Sequence, residues 1–381
     1  MQVRRHAGGA ALGIGAAPGD VGNAGLPAPL VAGDPEVTMD PVSQAVVGAA
    51  AAQVATTGRL GKLAFACGAV GGVLPDIDVV IRSASDPLLA VEMHRHFTHS
   101  LALVPVGGAV AALPFLLTRG NRRRAGAILA ACTLGYASHA PLDILTSYGT
   151  LWWWPFSHAR LELDWMSIVD PLFTIPLLLL AVLAMVRTSR RLAYAAALFA
   201  LAYIALGAAL HYRALSVQRT LAATRGHTIE RGRVMPTLGN VLAWRSVYIA
   251  GGEIHADAVR VTPFGAPAVV EGQRVPLLSA APADSTADTT LAARFARDFA
   301  RFAWFADGFV ARDPADPSAF GDMRYSLVTE GFEPLWGVRF HGDGRAVPVE
   351  WAELMRHRES RFVELWQLVS GTSPHLRVWL L

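Results

Sequence analysis

Charged residues are scarce in this 381-residue sequence: only 17% of the residues are Asp, Glu, Lys or Arg, whereas 53% are hydrophobic. Soluble globular domains carry about 25% charged residues, so the composition excludes an ordinary soluble protein. The shortage is uneven, because the apolar residues are concentrated before His211 and the charged residues after it. We therefore predict an integral membrane half followed by a water-soluble half.

Cysteines and basic patches are also scarce. Cys67 and Cys132, the two cysteines of the chain, lie in apolar segments. We expect them to be small buried hydrophobic residues rather than a disulfide or a metal site. The formal net charge is only +3, and the basic excess lies in short arginine-rich loops without interleaved aromatic residues. This pattern indicates membrane orientation and no nucleic-acid partner. The sequence contains no phosphate-binding loop, dinucleotide motif or nucleophile elbow, so nothing indicates a covalent nucleophile.

Three regions follow from the distribution of residue types. Residues 1–38 are rich in Gly, Ala and Pro and show no periodicity, so we predict a disordered extension that precedes a more natural start at Met39. Residues 39–211 contain the apolar segments and are predicted to form a membrane-embedded metal-site domain. Residues 212–381 combine helical and strand-like segments and are predicted to form a small soluble α+β domain. The predicted fold class is thus mainly α, a polytopic helical membrane bundle with a soluble tail.

The apolar segments predict about five to six membrane helices, since a span needs roughly 20 residues. Arg119–Arg124 and residues 187–191 fall on the same side of the membrane by simple alternation. The positive-inside rule places that side in the cytoplasm. The opposite ends, and the domain after His211, then face outward, into the periplasm of a Gram-negative cell. The candidate segments are residues 44–57, which is short for a full span, 63–74, 100–117, 125–145, 168–186 and 192–210. The segment 63–74 either continues through residue 81 or enters the membrane only partway.

Carboxylates and imidazoles gather at the ends of these segments, where ionisable groups are costly and usually functional. His139 and Asp143 are four residues apart and share one face of a helix. Asp76 and Asp78 follow a proline and would project to the same side of an extended segment. His99 lies at the start of the next apolar segment. Imidazole and carboxylate together suit zinc, manganese or iron, so we predict these five residues to be metal ligands. A hydrogen-bonded pair between helices and a helix cap are the structural alternatives.

Three further residues are candidates for catalysis. His94 precedes His99 by five residues and is a possible ligand or proton shuttle, whereas His96 is expected to be a bystander. Arg95 could balance the anions of the site or hold an anionic substrate. Arg160 follows the tryptophan-rich stretch 152–154 and is either a phosphate or carboxylate clamp or a snorkelling interfacial arginine.

These motifs, taken in order, resemble the bacterial family called membrane-bound metal-dependent hydrolases, which are inner-membrane proteins of unassigned substrate. The resemblance covers about residues 39–210. It implies a multi-pass inner-membrane protein and, through the family name, metal-dependent hydrolysis. The matching pieces are MDPVSQ at residues 39–44, LPDID at 74–78, HR at 94–95, THS at 98–100, HAPLDILTSYG at 139–149, PFS at 155–157 with Arg160, and DP at 170–171.

Two hypotheses of different classes remain. In the first, the five predicted ligands hold one or two divalent ions, zinc above all, that activate water against an amphiphilic substrate such as a lipid phosphoester. Arg95 and Arg160 would then bind its anionic group, and membrane lipids would surround the protein. In the second, the chain is a non-enzymatic membrane protein, either a metal or ion transporter or a scaffold. A transporter would carry polar residues across the bilayer midplane, and residues 101–117 and 171–186 carry almost none. The sequence therefore favours the hydrolase and leaves the oligomeric state open.

Overall fold

The computed structural model of the protein describes residues 40–280, 289–341, 349–355 and 358–379. The predicted disordered extension, residues 1–38, lies outside the described residues. Helices make up the first half of the described chain, and short 3-10 helices connect several of them. The helices before the first strand are α1 (Pro41–Leu60), α2 (Leu63–Val73), α3 (Leu89–Met93), α4 (Val104–Leu116), α5 (Ala125–Ile144), α6 (Pro171–Arg187) and α7 (Arg190–Thr224).

Helices α1, α2 and α5 pack closely because glycines face one another where the backbones cross. A Cβ on Gly68 of α2 would collide with the carbonyl oxygen of Gly48 and with Ala52 in α1. A Cβ on Gly135 of α5 would collide with the carbonyl oxygen of Gly68. Small residues of this kind let membrane helices approach closely. The close approach brings the carboxyl-terminal ends of α2 and α5 together.

Two antiparallel sheets dominate the rest of the chain. The strands are β1 (Arg231–Pro236), β2 (Ala243–Ala250), β3 (Glu253–Arg260), β4 (Ala268–Val270), β5 (Arg274–Pro276), β6 (Val310–Asp313), β7 (Asp316–Asp322), β8 (Trp336–Phe340), β9 (Val349–Glu353) and β10 (Arg377–Val378). The first sheet has the strand order β1-β2-β3-β4-β10, with β5 also paired to β3, and the second has the order β6-β7-β8-β9. Helix α8 (Thr289–Phe305) precedes the second sheet, and α9 (Arg358–Ser370) follows it.

Helix α7 joins the two halves. Its 35 residues give it a length of about 52 Å at 1.5 Å per residue. Leu198 and Leu201 near its start are exposed, as expected of side chains that contact lipid. Further along, Leu210 and Val217 pack against Trp244 and other buried residues of the first sheet. The first part of α7 therefore belongs to the apolar helical region, and its second part packs against the first sheet.

The prediction of five to six membrane helices is wrong for the described residues. Only Leu63–Val80 and Arg190–Thr224 are long and apolar enough to cross a membrane, and the pair Leu89–His99 and Leu101–Leu116, bent by 55°, would make a third if it is one span. Helices α1 and α5 have 20 residues each, but polar side chains interrupt their hydropathy. Helix α6 is apolar but has only 17 residues.

The prediction of a mainly helical fold is wrong as well. The described carboxy-terminal part is built on two antiparallel sheets, of six and four strands. Several strands have only two to five residues. Alternation of apolar and polar residues cannot be recognised in segments of that length, so the sequence pattern underestimated the share of strand.

Candidate metal centre

The structure brings together all five residues that we predicted as metal ligands. Asp76 and Asp78 lie in the 3-10 helix Leu74–Val80, directly after α2. His99 ends the short 3-10 helix Phe97–His99. His139 and Asp143 lie one turn apart near the end of α5. The helix ends carry these side chains into one buried cluster, in which His99, His139 and Asp143 have at most 1% of their surface exposed.

The shortest contacts in the cluster join nitrogen and oxygen atoms that suit a cation. The Nε2 atoms of His99 and His139 are 2.9 Å apart. Asp76 Oδ1 lies 3.4 Å from Nε2 of His99 and 3.2 Å from Nε2 of His139. Asp143 Oδ2 lies 3.2 Å and 3.4 Å from the same two nitrogens. Two ligand atoms of a tetrahedral zinc ion, with bonds of about 2.0–2.1 Å, lie roughly 3.3 Å apart. The nitrogen–oxygen distances therefore match those of a zinc-like ion, and the nitrogen–nitrogen distance of 2.9 Å is about 0.4 Å shorter.

The second nitrogen of each imidazole fixes which nitrogen faces the cluster. His139 Nδ1 lies 2.5 Å from the carbonyl oxygen of Gly72, which can only accept, so Nδ1 carries the proton. His99 Nδ1 lies 3.2 Å from Asp78 Oδ2 and takes the same assignment. Both Nε2 atoms then present lone pairs to each other. This is the arrangement by which metal-binding histidines are oriented, and the lone pairs would repel if no cation lay between them.

The charge of the cluster also favours a cation. Three carboxylates, of Asp76, Asp78 and Asp143, face a single buried guanidinium, that of Arg95. Uncompensated buried charge is strongly unfavourable. Protonation of both histidines would balance the charge, but it would place two positive imidazoles with their nitrogens 2.9 Å apart. A divalent ion balances the same charge without that repulsion.

Asp78 holds the neighbouring loop in place. Its Oδ2 accepts hydrogen bonds from the backbone N–H of Arg95 (3.1 Å) and the hydroxyl of Thr98 (2.6 Å), and its Oδ1 lies 2.9 Å from His94 Nδ1. The described residues contain two candidate ligand groups, Asp76 with His99 and His139, and Asp76 with Asp78 and His94. Because both oxygens of Asp78 already have hydrogen-bond partners, the first group offers the freer ligand atoms, and Asp78 orients His99.

Sequence reasoning missed two hydrogen-bonding residues of this cluster. Gln44, near the start of α1, donates its amide to Asp143 Oδ1 at 2.8 Å. Thr98 contacts Asp78, and its own carbonyl accepts a hydrogen bond from the Tyr136 hydroxyl at 2.6 Å. Both residues stand within the matched motifs, but only the fold shows which side chains they reach.

The three predicted catalytic residues lie at different distances from the cluster. His94 touches Asp78, and its Nε2 has no hydrogen-bond partner in the described part of the chain. Arg95 has its Nε 3.4 Å from Asp143 Oδ2. Its backbone φ of 60° is strained for a non-glycine residue. Arg160 does not join the ligand cluster and instead donates hydrogen bonds to the carbonyl oxygens of Phe305 and Tyr148.

The carboxy-terminal part packs directly against this region. The rings of Tyr148 and Phe305 meet edge to face with 5.2 Å between centroids. Arg301 of α8 forms paired hydrogen bonds with Asp86, which precedes α3, and with Glu92, which lies within α3. The carboxy-terminal part, which contains the two sheets, therefore packs against the residues next to the ligand cluster.

Comparison with known proteins adds a family match. Residues 39–214, less than half of the chain, match the model of a family described as YdjM inner membrane protein. No curated protein and no solved structure matches the chain. The match and the two long apolar helices support an inner-membrane location in a bacterium. The description of the family names a location and no chemistry.

Proposed function

We propose that this chain is a metal-dependent hydrolase embedded in the inner membrane, and that it acts on an amphiphilic substrate at the membrane boundary. One observation carries the proposal. Two buried imidazole nitrogens lie 2.9 Å apart, and carboxylate oxygens of Asp76 and Asp143 lie 3.2–3.4 Å from them. We further propose a multi-pass topology with the carboxy-terminal part in the periplasm, because the arginine-rich loops favour the cytoplasmic side.

Zinc is the metal that we propose, held by Asp76, His99 and His139 with Asp143 beside them. The mixture of imidazole and carboxylate also accepts manganese or iron. When bound, such an ion polarises the scissile bond and lowers the pKa of a bound water from 15.7 to about 7. Hydrolysis then needs no covalent nucleophile from the protein.

The residues around the ligands can transfer protons and bind the anionic group of the substrate. Asp143 Oδ2 has no hydrogen-bond donor among the described residues and can accept the proton of an attacking water. His94 keeps its Nδ1 on Asp78, which leaves Nε2 to exchange a proton with the leaving group. Arg95 lies beside Asp143 and can hold an anionic group of the substrate.

Hydrolysis by the purified full chain tests the proposal. Detergent-solubilised protein is incubated with a panel of lipid phosphoesters, then treated with a chelator and reloaded with zinc. We expect turnover that chelation abolishes and zinc restores. His139→Ala should lose it, whereas His158→Ala, which removes an exposed histidine of the loop, should keep it. Zinc uptake into proteoliposomes that depends on Asp143, without hydrolysis of any substrate, would instead support a transporter.

A further inference from the structure

Several buried polar atoms next to the candidate ligands lack a partner. The hydroxyl of Tyr148, Nη2 of Arg95 and Nε2 of His94 make no hydrogen bond within the described part of the chain. Tyr148 and Arg95 are each 1% exposed, and His94 is 8% exposed. A buried polar group without a partner is unfavourable, and such groups in native structures call for an explanation. A ligand that binds to these atoms would be such an explanation.

Tyr148 connects these atoms with Arg160. The guanidinium carbon of Arg95 lies 4.8 Å from the centroid of the Tyr148 ring, and that of Arg160 lies 5.4 Å from it. The His94 ring meets Tyr148 edge to face at 5.7 Å. The Tyr148 side chain therefore contacts both the Arg95 guanidinium beside the metal centre and a second cationic side chain.

Arg160 is a cation that makes no ion pair among the described residues, although the carboxylate of Glu162 lies close enough to act on it electrostatically. Its hydrogen bonds go to backbone oxygens of Phe305 and Tyr148. Burial lowers the pKa of this guanidinium. By contrast, the nearby Arg324 has its own carboxylate, Asp322, at 2.7 Å. A partly buried arginine whose hydrogen bonds go only to backbone carbonyl groups is suited to binding an anion that arrives from outside.

The carboxy-terminal part adds another free donor to the same region. The hydroxyl of Tyr325 also has no hydrogen-bond partner among the described residues. Burial raises the pKa of Tyr325 to about 12, so the phenol keeps its proton at neutral pH. Arg324 connects Tyr325 with Arg160: its Nη2 donates to the same carbonyl oxygen of Phe305 as Arg160 does, and its guanidinium carbon lies 5.2 Å from the Tyr325 ring. Tyr325 therefore brings a donor from the carboxy-terminal part close to Arg160.

We propose that Arg95, Tyr148 and Arg160, together with Tyr325, form an oxyanion subsite that holds the phosphate group of a phosphoester. This deepens the proposed function and rests on it for the bond that is cut. The donors are two guanidinium groups and two hydroxyls on separate elements. A carboxylate offers two oxygens in one plane, whereas a phosphate offers three acceptor oxygens, so the number and spread of donors favour phosphate.

Binding of inorganic phosphate to the full-length protein tests the subsite. Titration calorimetry in detergent is done with zinc-loaded protein and with chelator-treated protein, and acetate serves as the comparison anion. We expect phosphate to bind in both states and acetate to bind much more weakly. Tyr148→Phe and Arg160→Gln should each weaken phosphate binding roughly ten- to a hundredfold, as loss of a hydrogen bond to a charged group implies. The matched controls are Tyr194→Phe and Arg274→Gln, at exposed positions.

Several results would overturn the subsite: no phosphate binding by the chelated protein, equal binding of acetate, or unchanged affinity in both variants. Arg160→Lys is the control for misfolding, because it keeps the charge and should retain part of the affinity.

Metal content measured in the same samples distinguishes the two proposals. If the protein binds zinc but not phosphate, only the subsite proposal is refuted. If it binds phosphate but never zinc, only the hydrolase proposal is refuted. Competition by phosphatidic acid in nanodiscs would assign the phosphate to a lipid headgroup, and its absence to a soluble ester; either result supports the subsite.

Discussion

An ion pair between the two halves of the chain gives a quantitative prediction. Arg233 of β1 donates hydrogen bonds from Nε and Nη2 to Asp164 at 2.7 and 2.6 Å, and a further one to the carbonyl oxygen of Ser147. Arg233 and Asp164 are 7% and 5% exposed. Removing one partner of a buried pair leaves the other charge uncompensated and costs about 3–5 kcal/mol. We therefore expect Arg233→Met to lower the free energy of unfolding by about that amount.

A double-mutant cycle isolates the charge effect. Asp164 has a φ of 57°, a left-handed conformation that Asn tolerates better than most residues, so Asp164→Asn removes the charge without straining the backbone. Arg233→Met with Asp164→Asn removes both charges of this pair, and the less buried Glu162, 3.4 Å from Arg233 Nη1, loses its partner equally in the single and the double variant. We expect this double variant to be more stable than Arg233→Met alone, by roughly 1–3 kcal/mol as coupling energies between contacting residues usually are.

Denaturant unfolding in detergent, followed by tryptophan fluorescence, measures these differences. Arg274→Met is the control, because its ion pair with Glu253 is exposed and should contribute little. Arg233→Met as stable as the control, or costs of the two single substitutions that simply add, would contradict this prediction. Either result would mean that the β-rich part does not dock on the loop through this pair.

Two further predictions concern the bundle and the first sheet. Gly68→Leu should prevent α1 and α2 from packing, because overpacking typically lowers the free energy of unfolding by about 1–3 kcal/mol or more. We expect aggregated protein in size-exclusion chromatography, whereas the control Gly126→Leu, at a position facing open space, should remain monodisperse. His255 is buried, and burial lowers its pKa, so below its ordinary pKa the unfolded chain takes up a proton that the folded chain rejects. Stability should therefore fall between pH 7 and pH 5, and His255→Gln should show a shallower fall; identical pH slopes for the two proteins would contradict this.

The ligand residues of the candidate site could be predicted from the sequence, but most of the residues around them could not. Asp76, Asp78, His99, His139 and Asp143 could be singled out because ionisable groups at the ends of apolar segments are conspicuous. Their convergence depends on glycine-mediated packing of α1, α2 and α5, which positions the ends of α2 and α5. Contacts such as that of Gln44 with Asp143, separated by 99 residues, leave no local pattern.

The membrane spans and the carboxy-terminal part were harder to predict for a different reason. Polar residues in α1 and α5 face the bundle and interrupt the hydropathy, so a count of apolar segments overestimates the spans. The strands include pieces of two and three residues, such as β10 and β5. Nothing in the sequence of α8 indicates that Arg301 reaches Asp86 and Glu92, since these partners lie more than 200 residues away.

The metal content of the purified protein tests the central claim most directly. Full-length protein is purified without added metal, dialysed against zinc at low concentration and analysed by inductively coupled plasma mass spectrometry. We predict one tightly held zinc, manganese or iron ion per chain, lost in His99→Ala and His139→Ala but retained in His158→Ala. Wild-type protein that takes up no transition metal, or variants that retain as much as the wild type, would contradict the central claim.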